Sequence, residues 1–320
     1  MANYLGYEFI DAAEVIRFDR DGKFQDERTN FFLKEKLKKV PRAVIPGFYG
    51  ADDAGNIHTF SRGGSDVTGA VVARGAGAQL YENWTDVSGF LLADPTIIDH
   101  PKKIDSMTFG ELRELAYRGA TVLHEEAVYP ARREGISIHI RNTNAPEENG
   151  TVICQELRPE QEVPITGIAG RRNFAAVSIA KNCMNSEPGF CKKLLEAFEE
   201  NDISFEHMPS GIDTMCVVVH ESALEGKKEK LVQRIHELCT PDTVEIHSGL
   251  ALIATVGRGM VRSKGISARL FNALMKAGVN VRLIDQGSSE LNIIVGVDNL
   301  DFEVATRAIY RAFVTHENRW

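Results

Sequence analysis

Residues 62–73 read Arg62-Gly63-Gly64-Ser65-Asp66-Val67-Thr68-Gly69-Ala70-Val71-Val72-Ala73. The paired glycines let backbone amides approach a ligand closely, because neither residue carries a Cβ atom. The apolar run after Asp66 predicts a helix, and the first turn of a helix binds phosphates and carboxylates well. The segment therefore predicts a cradle for a small anion at the start of a helix, although a glycine pair alone also occurs in ordinary turns.

Three further segments of interest lie downstream of the glycine pair. Residues 80–90 predict a strand that ends in a polar turn around Thr85 and Asp86, and Asp94-Pro95 and residues 119–124 follow it. Short β-rich runs alternate with helical patterns over residues 1–153, which favours a parallel-rich α/β sheet. Ligands bind beyond the carboxyl ends of the strands in such open sheets, so the polar turns mark a candidate site.

Taken in order, the motifs R-G-G-S-D-x-T, W-T-D-V-x-G, D-P and G-A-x-V-L-H resemble those of the aspartate kinases in the amino acid kinase superfamily; they begin at Arg62, Trp84, Asp94 and Gly119. The resemblance implies an open carbamate-kinase-like sheet. It also implies ATP-dependent phosphorylation of L-aspartate to 4-phospho-L-aspartate, in the biosynthesis of lysine, threonine and methionine, with Mg²⁺ shielding the phosphates.

The resemblance further implies an aspartate-binding site formed by Arg62, Gly63, Gly64, Ser65 and Asp66. Arg62 would pair with the substrate carboxylate, Ser65 would hydrogen-bond it, and Asp66 would meet the substrate ammonium group. Arginine suits this role because its planar guanidinium binds a carboxylate in a bidentate manner. From the residues alone, Asp66 is also a good N-cap for the helix, and the two roles are not exclusive.

By the same resemblance, Thr85 and Asp86 would lie against the nucleotide, and Thr121 and Val122 would line the same pocket. On their own, Thr85 and Asp86 equally predict an Asx or hydroxyl turn. His124 is followed by two glutamates but does not form the H-E-x-x-H zinc motif, so we expect a structural role for it and no metal ligand set.

The composition of the chain bears on its number of domains, its partners and its location. The 320 residues predict two or three domains, and the net charge of −8 with mixed signs argues against binding to a nucleic-acid backbone. Five cysteines in no metal-ligand or C-x-x-C spacing favour reduced thiols. The chain shows neither a leader pattern nor a run of about 20 apolar residues, so we expect a cytoplasmic protein without a membrane partner.

The second half of the sequence contains an internal repeat. A shift of 76 positions (265 minus 189) places Gly189 on Gly265 and Phe198 on Leu274 without a gap. Each copy reads strand, helix, strand, strand, helix, which matches the first five elements of the ferredoxin-like βαββαβ order. Behind an aspartate-kinase-like segment, two copies resemble tandem ACT domains. The predicted domains are the C-terminal part of a kinase domain at 1–157 and ACT domains at 166–245 and 246–320.

ACT domains sense amino acids, so the resemblance implies an effector site in the first copy. Met184, Gly189 and Phe190 lie on its first loop, and Glu206, next to a predicted strand at 203–205, would face the effector's amino group. Lysine is the expected effector and threonine the alternative. From the residues alone, the two large side chains could instead be core residues and Glu206 a solvated charge. Arg282 replaces Glu206 in the second copy, which favours pairing with another subunit there; homodimers or larger oligomers through the ACT domains are expected.

One departure from the family concerns catalysis. Aspartate kinases carry a K-F-G-G-S/T segment whose lysine stabilises the transferring phosphoryl group, and no such segment occurs in this sequence. Thr121 also stands where many relatives have lysine. Loss of such cations costs transition-state stabilisation, so we expect little or no kinase activity from this chain alone. The alternative is a non-catalytic, amino-acid-sensing regulatory subunit of an aspartate kinase oligomer. The tandem repeat and W-T-D-V-S-G disfavour another carboxylate or carbamate kinase.

Overall fold

The computed structural model describes residues 1–61, 63–120, 123, 125–158 and 163–314, without the side chains of 125 and 126. The chain forms two compact units. The first contains residues 1–95 and 99–167, and the second contains residues 96–98 and the chain from 168 onward. Among the described residues, no helix is both long enough and apolar enough to cross a membrane.

The first unit is a mixed α/β structure. Its strands are β1 (Glu8–Phe9), β2 (Ala43–Val44), β3 (Tyr49–Ala51), β4 (Ile57–Thr59), β5 (Leu80–Thr85), β6 (Ser106–Thr108), β7 (Ser137–Asn142) and β8 (Thr151–Cys154). Its helices are α1 (Ala2–Leu5), α2 (Ala12–Val15), α3 (Asp26–Leu37), α4 (Gly64–Ala76), α5 (Phe109–Tyr117) and α6 (Glu125–Arg133).

The larger sheet of this unit has the strand order β5-β7-β8-β6. The pairs β5–β7 and β6–β8 are parallel, whereas β7–β8 is antiparallel. Ile138, Ile140 and Ile153 are completely buried on its central strands. The prediction of a parallel-rich α/β sheet is therefore confirmed, and the parallel pair β5–β7 brings two carboxyl ends to one edge.

The second unit contains both copies of the repeat. Its strands are β9 (Gly167–Ala180), β10 (Thr214–His220), β11 (Thr243–Val256), β12 (Leu283–Asp285) and β13 (Asn292–Asp298). Its helices are α7 (Phe190–Glu199), α8 (Lys228–Cys239), α9 (Ile266–Lys276) and α10 (Phe302–Val314), with short 3₁₀ turns at Met184–Ser186, Glu221–Leu224, Arg258–Arg262 and Asn299–Asp301. The strands form one sheet in the order β10-β9-β11-β13-β12.

The repeat appears in the backbone as it does in the sequence. Gly189 and Gly265 are the N-caps of α7 and α9, with φ of 82° and 85°. Both values lie in the left-handed region, which glycine adopts without the steric cost that a Cβ atom would add. The predicted pairing of these two glycines therefore corresponds to two helices that begin in the same way.

Two long strands serve both copies. The predicted boundary at 245/246 falls inside strand β11, so the two copies meet within one continuous strand. Val244 and Ile246 pack against the core of the first copy, whereas Leu250 and the residues after it pair with β13 of the second. Arg172, on β9, forms an ion pair of 2.9 Å with Glu303 of α10. A single cut in the sequence thus does not separate the two structural repeats.

One predicted strand is not regular. Residues 203–205 of the first copy do not form a strand; isolated bridges join His207 to Val218 and Ser210 to Met215 instead. Pro209 lies between these bridges and has no N–H to donate to a continuous ladder. In the second copy, residues 283–285, at the register of 207–209, form strand β12, whereas residues 279–281, at the register of 203–205, form no strand either.

Candidate functional site

The predicted anion cradle lies at the beginning of α4. Gly63 is the N-cap with φ of 79°, and no side chain caps the helix there. A Cβ atom on Gly64 would lie 2.7 Å from Phe48 Cδ2 and 2.7 Å from Phe60 Cβ, so only glycine fits between these two side chains. The amides of the first helical turn have no partner within the helix, which leaves donors and partial positive charge for an anion.

A neighbouring loop fixes the cradle. The Phe48 amide donates to Thr68 Oγ1 at 3.0 Å, and the Thr68 hydroxyl in turn donates to the Gly64 carbonyl at 2.7 Å. Thr68 is buried, and Phe48 has φ of 83°, a conformation that costs energy for a bulky residue. The loop before β3 is therefore held against the first turns of α4 by one buried hydroxyl group.

Asp66 lies in the first turn of α4 and is not its N-cap, since the helix already begins at Gly64. The N-cap interpretation of Asp66 was wrong because the chain turns into the helix at Gly63. The Asn83 side-chain amide donates to Asp66 Oδ1 at 2.9 Å and also lies 2.9 Å from the Tyr81 hydroxyl. Asp66 therefore does not cap the helix, and the hydrogen bond from Asn83 orients its carboxylate.

Tyr81 completes this polar group. Its hydroxyl donates to the Asp66 carbonyl at 3.3 Å. Burial raises the pKa of Tyr81 to about 12, the Asn83 hydrogen bond opposes this shift, and the Asp66 charge adds to it. Tyr81 is thus a neutral donor at physiological pH. A Cβ atom on Gly69 would lie 2.4 Å from the Tyr81 hydroxyl oxygen, so α4 approaches β5 closely at this glycine.

The polar turns after β5 and β7 meet at one edge of the sheet. Thr85 is the parallel partner of Asn142, and the Thr143 amide and hydroxyl donate to the Thr85 carbonyl at 2.8 and 3.0 Å. The Thr85 hydroxyl donates to Asp86 Oδ1 at 3.2 Å, and the Asn142 amide donates to the Ser88 hydroxyl at 2.9 Å. These contacts support the turn that the sequence predicted at Thr85 and Asp86.

Sequence reasoning missed Tyr81, Asn83, Asn142 and Thr143. The signal for the first two was present, because Tyr81 and Asn83 are two residues apart on a strand and so share one face. Arg62, Thr121, Val122 and His124 lie outside the described residues. Ser65 is exposed in the first turn of α4.

The part of the chain that the structure describes contains no group of three or more His, Cys, Asp or Glu residues arranged to hold a metal ion. Mg²⁺ is commonly bound through one or two carboxylates together with substrate phosphates, so this finding is compatible with a metal carried by a nucleotide.

In the first repeat, the structure places the predicted effector residues in two environments. Met184 and Phe190 are 4% and 2% exposed and belong to the apolar core, as the core interpretation of these side chains expects. Glu206 is half-buried, and its amide donates to the Val218 carbonyl at 2.7 Å. The Lys181 ammonium forms an ion pair with Glu187 and lies 5.5 Å from the Phe190 ring centroid, so the loop already holds an internal cation.

Comparison with known proteins gives the family. The model of the amino acid kinase family matches residues 9–142, and an ACT domain model matches residues 253–313. The crystal structure of an aspartate kinase from Clostridium acetobutylicum superposes with a TM-score of 0.91 at 53% identity, covering 98% of this chain and 72% of that chain. This chain belongs to the aspartate kinase family. Its fold is accordingly that of the amino acid kinases followed by ACT-type regulatory structure.

Other relatives in the family agree. Aspartokinase 3 of Bacillus subtilis is 40% identical over 271 residues, which is 84% of this chain and 60% of that protein. Aspartokinase III of Escherichia coli matches at 26% identity and a TM-score of 0.73 in a complex with aspartate and ADP, covering 95% of this chain and 69% of that chain. In a complex with lysine and aspartate, the same protein matches at 25% identity and a TM-score of 0.75, covering 96% of this chain and 69% of that chain.

The match does not extend over the whole of the curated relatives. This chain spans 60% of the Bacillus protein and 48% and 52% of two other curated aspartokinases. Family membership therefore rests on the matched region, which includes the α4 cradle and the repeat.

Proposed function

We propose that this chain carries the aspartate-binding cradle and the regulatory region of an aspartate kinase, which transfers a phosphoryl group from ATP to L-aspartate and yields 4-phospho-L-aspartate. The observation that carries the proposal is the Asp66 carboxylate, held by Asn83 at 2.9 Å beside the uncapped start of α4. An oriented carboxylate next to free helix amides suits a zwitterion, because the carboxylate binds its ammonium group and the helix amides bind its carboxylate group.

Each group of the cradle has a role in this proposal. The amides at Gly64 and Ser65, with Arg62 nearby in sequence, bind the α-carboxylate of aspartate, and Asp66 binds its ammonium group. The side-chain carboxylate that accepts the phosphoryl group is already ionised at pH 7. The protein therefore needs no general base and acts mainly by positioning the acceptor and neutralising charge.

The nucleotide is proposed to lie at the sheet edge where β5 and β7 end. Thr85 and Asp86 contact it, and Thr143, bonded to the Thr85 carbonyl, positions that turn. ATP supplies the phosphoryl group, and Mg²⁺ bound to its phosphates offsets their charge. Thr121 and Val122 are proposed to line the same pocket. The relative from Escherichia coli was crystallised with aspartate and ADP, which supports both ligands for this chain.

Regulation is proposed to act through the first repeat. We expect lysine as the effector, with Glu206 facing its amino group, and threonine as the alternative. The Escherichia coli relative crystallised with lysine supports this choice. Pairing of ACT domains between two copies of the chain is part of the same proposal.

Calorimetric titration of the full chain with L-aspartate and with L-lysine tests the proposal. We expect saturable binding of both, loss of aspartate binding in Asp66→Asn, and loss of lysine binding in Glu206→Ala. Asp53→Asn is the matched control, because Asp53 is an exposed carboxylate whose partner is Arg28. Unchanged aspartate affinity in folded Asp66→Asn would contradict the cradle.

The alternative function is tested by activity. ADP release that depends on both ATP and L-aspartate from the chain alone would overturn the expectation that this chain is inactive by itself. Turnover that appears only after mixing with a full-length aspartate kinase subunit would favour the regulatory-subunit alternative.

A further inference from the structure

A chain of side-chain hydrogen bonds holds the loop that follows the turn at Thr85 and Asp86. The Asn142 side-chain amide donates to the Ser88 hydroxyl oxygen at 2.9 Å. The Ser88 hydroxyl in turn donates to the Glu148 carboxylate, and the side-chain ammonium group of residue 103 forms an ion pair with the same carboxylate. Ser88 is thus an acceptor and a donor at once. It connects the end of β7 to the loop between β7 and β8.

The loop that carries Glu148 is itself fixed to strand β7. The Arg141 guanidinium donates to the Pro146 carbonyl at 2.6 Å, and His139 Nε2 lies 2.5 Å from the Asn149 carbonyl oxygen. Arg141 and His139 both belong to β7, and Glu148 lies between the two carbonyl groups that they hold. The Glu148 carboxylate therefore meets Ser88 from a backbone with a defined position.

Lys103 is held by the same loop that contains Ser88. An isolated antiparallel bridge joins Lys103 to Leu91. The Ile104 amide also donates to the Phe90 carbonyl at 2.9 Å. The segment that carries the ammonium group thus pairs with the loop, and the ion pair with Glu148 closes a ring of contacts around it.

The loop is anchored on both sides of Ser88. Before it, the Thr143 hydroxyl donates to the Thr85 carbonyl at 3.0 Å. After it, the Phe90 amide donates to the hydroxyl oxygen of Thr151, a completely buried residue, at 2.8 Å. The short stretch between these two anchors contains both the polar turn and Ser88. A side chain that fixes Ser88 therefore limits the movement of the turn.

The charges of this group are balanced. The hydrogen bonds from Lys103 and then from Ser88 lower the pKa of Glu148, so its carboxylate stays an ionised acceptor well below neutral pH. A carboxylate so close to the turn would by itself repel the phosphates of a nucleotide. The Lys103 ammonium offsets this repulsion. The group therefore fixes the turn without presenting a net negative charge to an anionic ligand.

We propose that Glu148 is a positioning residue of the nucleotide site. It accepts the Ser88 hydrogen bond and so fixes the turn at Thr85 and Asp86 before a nucleotide binds, while Lys103 holds the carboxylate and balances its charge. This inference rests on the nucleotide site of the proposed function, and it adds two residues that contact no ligand themselves. An ordered turn binds more tightly, because less conformational entropy is lost on binding.

Calorimetric titration of the full chain with ADP and Mg²⁺ tests the proposal. In Glu148→Ala, Ser88 loses its acceptor, and we expect the dissociation constant for ADP to rise by about tenfold. In Glu148→Gln, the amide oxygen still accepts from Ser88, and we expect a rise of about threefold or less. The direction separates positioning from charge, because loss of a negative charge near phosphates should by itself tighten binding.

Glu147→Gln is the matched control, because Glu147 is an exposed glutamate next to Glu148 in the same loop. Its ADP affinity should equal that of the parent or be slightly higher. Ser88→Ala should weaken ADP binding as much as Glu148→Ala does. The double variant should lose no more than either single variant, because both remove the same hydrogen bond. The affinity for L-aspartate should stay unchanged in all of them.

Unchanged or tighter ADP binding in folded Glu148→Ala overturns the inference and leaves the proposed function standing. Additive effects of the two single substitutions also overturn it, as does an equal loss of aspartate and ADP affinity, which indicates general destabilisation. A folded parent chain that binds no ADP contradicts the nucleotide site itself, and the inference with it. If Glu148→Ala lowers the unfolding temperature, Ser88→Ala and Glu148→Gln carry the test.

Discussion

Asn83 Nδ2 donates to Asp66 Oδ1 at 2.9 Å and so connects the middle of strand β5 to the first turn of helix α4. Asn83 is buried, and the Tyr81 hydroxyl lies 2.9 Å from the same amide nitrogen. A strand side chain therefore fixes the orientation of a carboxylate on a neighbouring helix. Because this carboxylate is oriented before any ligand arrives, the ligand need not bear the full cost of ordering it.

Substitution of Asn83 tests this relationship. In Asn83→Ala, Asp66 loses a buried donor, and we expect the dissociation constant of the chain for L-aspartate to rise by about tenfold. Calorimetric titration measures this change. Asn56→Ala is the matched control, because Asn56 donates to a different buried carboxylate, that of Asp52, at 2.9 Å. Equal effects of the two substitutions would show a general loss of stability and would argue against a positioning role for Asn83.

The raised pKa of Tyr81 predicts a loss of folding stability at alkaline pH. Burial raises its pKa from 10.0 to about 12 in the folded chain. The unfolded chain releases this proton first, so the stabilising contribution is complete below pH 10 and disappears as the pH rises to 12. The loss amounts to about 2 to 3 kcal/mol. Urea denaturation at pH 9 and pH 11.5 should show a smaller loss in Tyr81→Phe than in the parent, whereas Tyr4→Phe, at a side chain that is 89% exposed, should behave as the parent.

The sequence predicted the elements of the cradle but not its contacts. The glycine pair and the apolar run that follows gave the helix at 64–76, because these features act locally. Asn83 is separated from Asp66 by 17 residues in the chain. Its role depends on how α4 lies against β5, which Gly69 permits by its close approach to Tyr81. Local patterns do not specify such an approach.

The internal repeat was likewise predicted only in part from the sequence. The shift of 76 residues paired Gly189 with Gly265, and the structure shows that these glycines are the N-caps of α7 and α9. The sequence also predicted a strand at residues 203–205, whereas the bridges to β10 lie further along the chain, at His207 and Ser210.

The close packing around Gly64 predicts that a larger residue at this position destabilises the chain. A Cβ atom there would lie 2.7 Å from Phe48 Cδ2 and from Phe60 Cβ, so Gly64→Ala must displace both neighbours. We expect a loss of about 1 to 3 kcal/mol in the free energy of unfolding, as for other overpacked sites. Gly47→Ala is the control, since its nearest atom would be Ser65 Cα at 3.4 Å, an ordinary contact. Urea denaturation of both variants distinguishes them, and equal midpoints would contradict the close packing at Gly64.

Three helices of the first unit meet at one buried guanidinium group. Arg74 of α4 is only 3% exposed and pairs with Asp26 at 2.7 Å and Glu27 at 3.1 Å, both at the beginning of α3. Its Nε also pairs with Glu134, directly after α6, at 3.1 Å. The carboxylates are more exposed than the arginine, so they regain water if the arginine is removed.

Arg74→Met should therefore lower the free energy of unfolding by about 1 to 3 kcal/mol, the range for hydrogen bonds to charged groups, because methionine retains the apolar contacts but none of the three ion pairs. Arg28→Met removes an ion pair of the same 2.7 Å length, to Asp53, at a side chain that is 46% exposed. There we expect less than about 1 kcal/mol, since exposed pairs contribute little. Urea denaturation at low salt measures both. Equal losses would contradict the prediction, because they would mean that the burial of Arg74 adds nothing to the contribution of its ion pairs.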